Sequence, residues 1–157
     1  MEYKTNVMRI LDKKKLKYKS YSYVDTDAIS GIQVASVLHQ NPDMVFKTLV
    51  TVGKSKQYYV FMVPVAKELD LKKAAHSVNE KSVEMIHLKE LLPLTGYVHG
   101  GCSPIGMKKS FITVIDESAK NFETVIFSAG KIGYQVELAP SDLEKIIRLS
   151  YCDIVCD

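Results

Sequence analysis

Residues 96–106 read GYVHGGCSPIG, with four glycines and a proline in eleven positions of a chain that has only 8 Gly and 5 Pro. A histidine, a cysteine and a serine stand among them, and MKKS follows. Such a concentration serves either a turn-rich connection or a backbone that must approach a ligand closely. As a phosphate cradle, Gly101 and Gly106 enclose four residues in the manner of a P-loop. However, Met107 stands where that motif demands an immediate lysine, and Pro104 removes one N–H, so no Walker-type nucleotide site is expected. As a metal centre, His99 with Cys102 and Cys152 with Cys156 have ligand-like spacings, yet the set is irregular and no metal is expected. As a nucleophile with its base, Cys102 beside His99 would need a lowered thiol pKa and an orienting third group, and proximity in sequence supplies neither. A small residue tolerated in a tight loop is the plainer account of Cys102. Lys47, between Phe46 and TLVTV, is either a lysine snorkelling at a strand end or a cation aimed into a pocket.

The elements that must position these residues follow from periodicity and punctuation. Residues 5–15 read as an amphipathic helix with Val7, Met8 and Leu11 on one stripe and a lysine run at its end, where cations suit the helix dipole. Residues 16–24, rich in tyrosine, read as a strand, and 30–40 as a second short helix before the NPD turn at 41–43. Residues 46–52 and 58–65 form two β-rich runs joined by GKSKQ, a hairpin whose second run is apolar on both faces and therefore central. A helix is expected over 69–76, a brief strand over 83–86, and a short helix over 88–92 stopped by Pro93. Three strands are expected after the glycine-rich loop, over 111–116, 124–128 and 133–138, with SAGKIG turning between the last two. The chain should close on a helix, capped by Ser141 with Glu144 and striped by Leu143, Ile146 and Ile147.

Strands and helices intermingle without strict alternation, which predicts an α+β fold: a single compact domain over 1–157, with a mixed, partly closed β-sheet and flanking helices. A hydrophobic content of 46% and charged content of 25% are those of an ordinary globular protein. The longest apolar run, YYVFMVPVA, is of strand length, so no membrane span is expected. An N-terminus of acidic and polar residues and an odd count of 3 Cys point to reduced thiols and a cytoplasmic location. A net charge of +3 permits a nucleic-acid partner without establishing one.

Taken together, NPDMVFKTLV (41–50), VPVAKELDLKKAA (63–75), VEM (83–85), TGYVHGGCSPIGMKK (95–109) and SAGKIGYQVEL (128–138) resemble the YbaK family in order and spacing. These are aminoacyl-tRNA deacylases related to the editing domain inserted in bacterial prolyl-tRNA synthetases. The resemblance covers essentially the whole chain, and the FKTL lysine with the GGxSPxG loop is its most specific pairing. It implies a free-standing enzyme that cleaves the ester of mischarged tRNA for proline, most nearly resembling the subgroup that removes cysteine. Removal of alanine, and a non-catalytic module that binds aminoacyl-tRNA or a synthetase, are the alternatives. The resemblance assigns catalysis to Lys47 and to the loop residues Gly101, Cys102, Ser103 and Pro104. It assigns substrate binding to Tyr23, Gly100, Ser128 and Gly130, with no cofactor and no metal. The implied partner is aminoacyl-tRNA, with prolyl-tRNA synthetase as a further one, and neither DNA nor a membrane. Gln135, at a position often acidic, and Tyr21, at a usual histidine, depart from the family pattern. In that subgroup the substrate's own thiol attacks its ester carbonyl. The loop N–H groups would then stabilise developing charge, an effect worth ~3 kcal/mol per donor.

Overall fold

The computed structural model describes residues 3–157. Helix α1 (Asn6–Lys13) starts at Thr5, whose hydroxyl accepts a hydrogen bond from the Met8 N–H at 3.2 Å, and buries Val7, Met8 and Leu11. It ends where Lys15 enters the left-handed region (φ 58°) and the Leu16 N–H reaches the Leu11 carbonyl at 3.1 Å. Strand β1 (Lys19–Ser22) follows, then α2 (Gly31–Val37), opened by a reciprocal Ser30–Gln33 capping box. A 3-10 turn over Pro42–Met44 delivers the chain to a hairpin of β2 (Phe46–Gly53) and β3 (Tyr58–Pro64). Asp70 caps α3 (Leu71–Ser77), and β4 (Val83–Met85) leads to α4 (Leu88–Thr95). The remaining elements are β5 (Ile112–Asp116), β6 (Val125–Ser128), β7 (Tyr134–Leu138), α5 (Pro140–Leu143) and β8 (Leu149–Cys152).

The strands make two sheets: a mixed five-stranded one in the order β4-β2-β3-β5-β8 and an antiparallel three-stranded one in the order β1-β7-β6. A parallel bridge between Val45 and Ile126 joins them. Strand β3 is central, as expected from its apolar run, and its alternation explains why both faces had to be apolar. Val60 and Met62 enter a core shared with α1, Phe46, Phe127 and Leu138, whereas Tyr59, Phe61 and Val63 enter a second core against Ala74 and Ala75 of α3. The architecture is α+β with a mixed sheet and helices packed against it. No helix among the described residues is long and apolar enough to cross a membrane.

Two expectations fail. Pro93 does not stop α4, which runs on to Thr95 and ends at Gly96 (φ 87°). The ring sits on the exposed side of the helix, so the hydrogen bond it forfeits falls where water replaces it. The closing helix is only the four residues of α5, begun by Ala139 and Pro140 with no side-chain cap from Ser141. Beyond it the chain turns through Ile146 and Ile147 and pairs as β8, parallel to β5, at the edge of the larger sheet.

Candidate active site

The end of β1, the start of β2, the 96–106 loop and the end of β6 meet around a cavity of about 340 Å³. Tyr23, Lys47, Gly100, Cys102 and Ser128 all line it, so five of the nine residues singled out from the sequence converge there. The lining is otherwise largely apolar (Ile29, Ile32, Val34, Val65 and Leu91), a composition suited to holding a small group with few polar anchors. Lys47 is the one Lys, Arg, Asp or Glu among the described lining residues. It stands at the second position of β2, opposite Val63 of β3, which anchors its backbone in the sheet. Its Nζ lies 3.7 Å from Oε1 of Glu68, a side chain 84% exposed. So long and solvated a pair holds the ammonium weakly and leaves it able to serve a ligand.

The loop is built by its own internal bonds. The Gly96 N–H donates to the Leu92 carbonyl at 2.8 Å, and Gly100 adopts φ 88°, a conformation that glycine takes without strain. The Tyr97 hydroxyl donates to the Ile105 carbonyl at 2.5 Å, and the Ile105 N–H donates to the buried Ser103 hydroxyl at 3.3 Å. Gly101 is not a left-handed residue, and its N–H is already given to the Val98 carbonyl at 3.0 Å. A Cβ on Gly101 would lie 3.1 Å from the Ile132 nitrogen and 3.4 Å from Lys131 backbone carbon atoms. The absence of a side chain there therefore lets two loops touch. Among the described residues, the N–H groups of Val98, His99, Gly100, Cys102, Ser103 and Gly106 have no acceptor, and of these residues His99, Gly100 and Cys102 line the cavity.

Cys102 is 9% exposed, and burial pushes its thiol up to about 12. It is therefore a neutral thiol at neutral pH, the reverse of what a cysteine nucleophile requires. His99 is exposed and lines the same cavity. Among the described residues no three His, Cys, Asp or Glu side chains come together in a way that could hold a metal ion.

Four of the singled-out residues lie outside the lining. Gly101 packs against the 131–132 backbone, and Ser103 is wholly buried. Pro104 borders a separate cavity of about 160 Å³ with Ile10 and Ile147. Gly130 (φ 89°) turns the chain where a Cβ would meet Val7 at 2.9 Å and Tyr97 at 3.0 Å, and its N–H donates to the Ser128 hydroxyl at 3.1 Å. Besides His99, three further polar residues line the cavity, Ser30, Thr48 and Gln135, the last being a position at which the sequence departs from the family pattern. Thr48 has a buried hydroxyl with no hydrogen-bond partner, and Gln135 accepts from the Gln40 side chain at 2.8 Å. Proximity to Lys47 was the available signal for Thr48; nothing local in the sequence pairs Gln135 with Gln40. Tyr21 stands opposite Gln135 in the sheet and packs against the buried cluster that includes Val45 without lining the cavity, and its hydroxyl donates to Glu137 at 2.5 Å.

Comparison with known proteins identifies the family and the fold. The aminoacyl-tRNA editing domain family matches residues 27–146. EbsC of Enterococcus faecalis, a protein proposed by its name to be a Cys-tRNA(Pro)/Cys-tRNA(Cys) deacylase, is 45% identical over 152 residues, covering 96% of this chain and 93% of its own. The uncharacterized protein YwhH of Bacillus subtilis is 26% identical over 121 residues, 77% of this chain and 76% of its own. The crystal structure of a protein proposed as a trans-editing enzyme for prolyl-tRNA synthetase superposes with a TM-score of 0.83 over 99% of this chain and 100% of its own. Its 22% identity makes that a likeness of fold. The chain belongs to the aminoacyl-tRNA editing domain family.

Proposed function

We propose that this chain, working as one domain over 1–157, is a free-standing deacylase that cleaves the ester of cysteine mischarged onto tRNA for proline. The observation that carries the reading is the cavity, a mostly apolar space of about 340 Å³ in which Lys47 is the one Lys, Arg, Asp or Glu among the described lining residues. An aminoacyl ester brings a small side chain, a polar carbonyl and a terminal ribose, and this lining offers an apolar surface, a cation and unused N–H donors in one place. The 45% identity to EbsC favours cysteine as the amino acid removed.

In this reading Lys47 and the N–H groups of Gly100 and Cys102 hold the ester oxygens as negative charge develops on the carbonyl. The substrate thiol attacks its own carbonyl carbon: the C–S bond forms, the ester C–O bond breaks, and the thiol proton ends on the departing ribose oxygen. The products are the freed tRNA and a cyclic cysteine thiolactone, which water then opens to cysteine. Catalysis is by presentation and electrostatics, for which the buried neutral Cys102 is not needed as nucleophile. The partner is aminoacyl-tRNA in the cytoplasm, supplied by prolyl-tRNA synthetase.

Incubating the protein with labelled Cys-, Ala- and Pro-tRNA for proline tests the proposal. Loss of the cysteinyl ester above the buffer rate is expected, with S-methylcysteinyl-tRNA protected. Cleavage of the S-methylated ester at the same rate would replace thiol cyclisation by hydrolysis. Tight binding of all three without turnover would make the chain a binding module.

A further inference from the structure

A second and larger depression, a groove of about 880 Å³, runs between α1 and the outer side of β1 and β7. Four of the chain's 9 tyrosines line it: Tyr3, Tyr18, Tyr21 and Tyr134. The rings of Tyr3 and Tyr134 lie 4.7 Å apart at 30°, and Lys131 sits over the Tyr3 ring at 4.7 Å. Beside the groove is the lysine run that the site leaves unused. Residues 13–19 hold five lysines and no acidic residue, a local charge of +5 against +3 for the chain, so the remainder sums to −2. All five are exposed, Lys17 lines the groove, and among the described residues none pairs with a carboxylate. One acidic side chain, Asp12, lines this groove, and it is already engaged by Lys4 and Tyr18.

We propose that this groove is an RNA-binding surface for the acceptor arm of the tRNA substrate. The lysine run takes backbone phosphates, and Tyr3, Tyr18 and Tyr134 offer stacking faces to the unpaired 3′ bases. A lysine run self-repels unless a polyanion neutralises it, and lysines interleaved with partly buried aromatic rings are the pattern by which single strands are held. The strands connect this surface to the cavity. Tyr21 and Ser22 line the groove and the next residue, Tyr23, lines the cavity, while on β7 Tyr134 faces the groove and Gln135 the cavity. The 3′ end rounds the end of β1 at Ser22–Tyr23 to pass from one to the other. The identity of the RNA rests on the deacylase reading; the presence of an RNA-binding groove does not.

The test is fluorescence anisotropy with a labelled acceptor-arm minihelix of tRNA for proline across a salt series. Changing Lys13, Lys14, Lys15, Lys17 and Lys19 together to Gln should weaken binding at least about tenfold and reduce the salt slope by about 2 or more. Tyr3→Ala should weaken binding of the minihelix with an unpaired 3′ end about fivefold, with little change for a blunt-ended helix. Cleavage of a free cysteinyl ester of adenosine should be the same in the lysine variant and the parent, because the lysines lie outside the cavity. Equal minihelix affinity and salt slope in parent and lysine variant would overturn the proposal, as would lysines that serve binding of a synthetase but not of RNA. If the parent binds RNA through these residues yet cleaves no ester, the groove stands and the deacylase reading falls.

Discussion

Lys47 and Gly101 illustrate two ways a residue can matter to the same cavity. Lys47 presents a charge to it, with the solvated Glu68 carboxylate at 3.7 Å as its one ion-pair competitor among the described residues. A hydrogen bond to a charged group contributes ~1.5–3 kcal/mol, so Lys47→Ala should lower deacylation about tenfold to a hundredfold without altering thermal melting. Turnover near that of the parent would remove Lys47 from the mechanism. Gly101 acts differently. Its missing side chain faces the 131–132 backbone, with 3.1 Å of clearance for a Cβ, so a substituent pushes two loops apart before it meets any ligand. Gly101→Val should therefore lose activity and stability together, by roughly 2 kcal/mol or more of overpacking strain. The check is to measure deacylation and melting on one preparation. Lost activity with unchanged melting would show instead that the position faces the substrate.

The elements differ in how plainly the sequence announces them. The β2–β3 hairpin was legible because alternation and a turn signal are local, and β3 declared its central place by being apolar on both faces. Strand β8 was not legible. Its half-buried residues take their conformation from pairing with β5, more than 30 residues earlier, which no local pattern records. Pro93 misled because a missing N–H matters only where water cannot replace it, and exposure is a tertiary fact. For the site, the FKTL lysine and the glycine loop were legible by resemblance, whereas Thr48 and Gln135 reach the cavity only through the meeting of two sheets. The hairpin turn offers a test at this scale. Lys56 sits at φ 77°, where a Cβ is strained, and its N–H closes the turn on the Gly53 carbonyl at 2.9 Å. Lys56→Gly relieves that strain and keeps the bond, so stability should rise by about 0.5–1 kcal/mol, or about 2 °C in Tm. A fall in Tm would show that the turn has no strain to relieve.

At the scale of the whole molecule, the 96–106 loop is part of the core as well as a wall of the cavity. Tyr97, Cys102 and Ile105 pack in the same cluster as α1, β3 and β7. Two titratable groups are thereby buried in their neutral forms. Burial raises Cys102 from 9.0 to about 12, and burial together with the neighbouring Cys102 raises Tyr97 from 10.0 to about 12. Between those limits the unfolded chain has released protons that the folded chain retains, so folding stability declines as pH rises. The contribution is intact below about pH 9 and is lost progressively as pH climbs through the folded values near 12. Melting temperature should thus fall steeply above pH 9, and Cys102→Ala should flatten the first part of that fall because alanine has no proton to lose. Tyr97→Phe should flatten the later part, at the cost of the hydroxyl bond to the Ile105 carbonyl and hence of a lower Tm at neutral pH. If Cys102→Ala melts with the same alkaline slope as the parent, the thiol is not held neutral by burial. Retained deacylation by that variant at neutral pH, within a few fold of the parent, would separate its place in the core from any place in the chemistry.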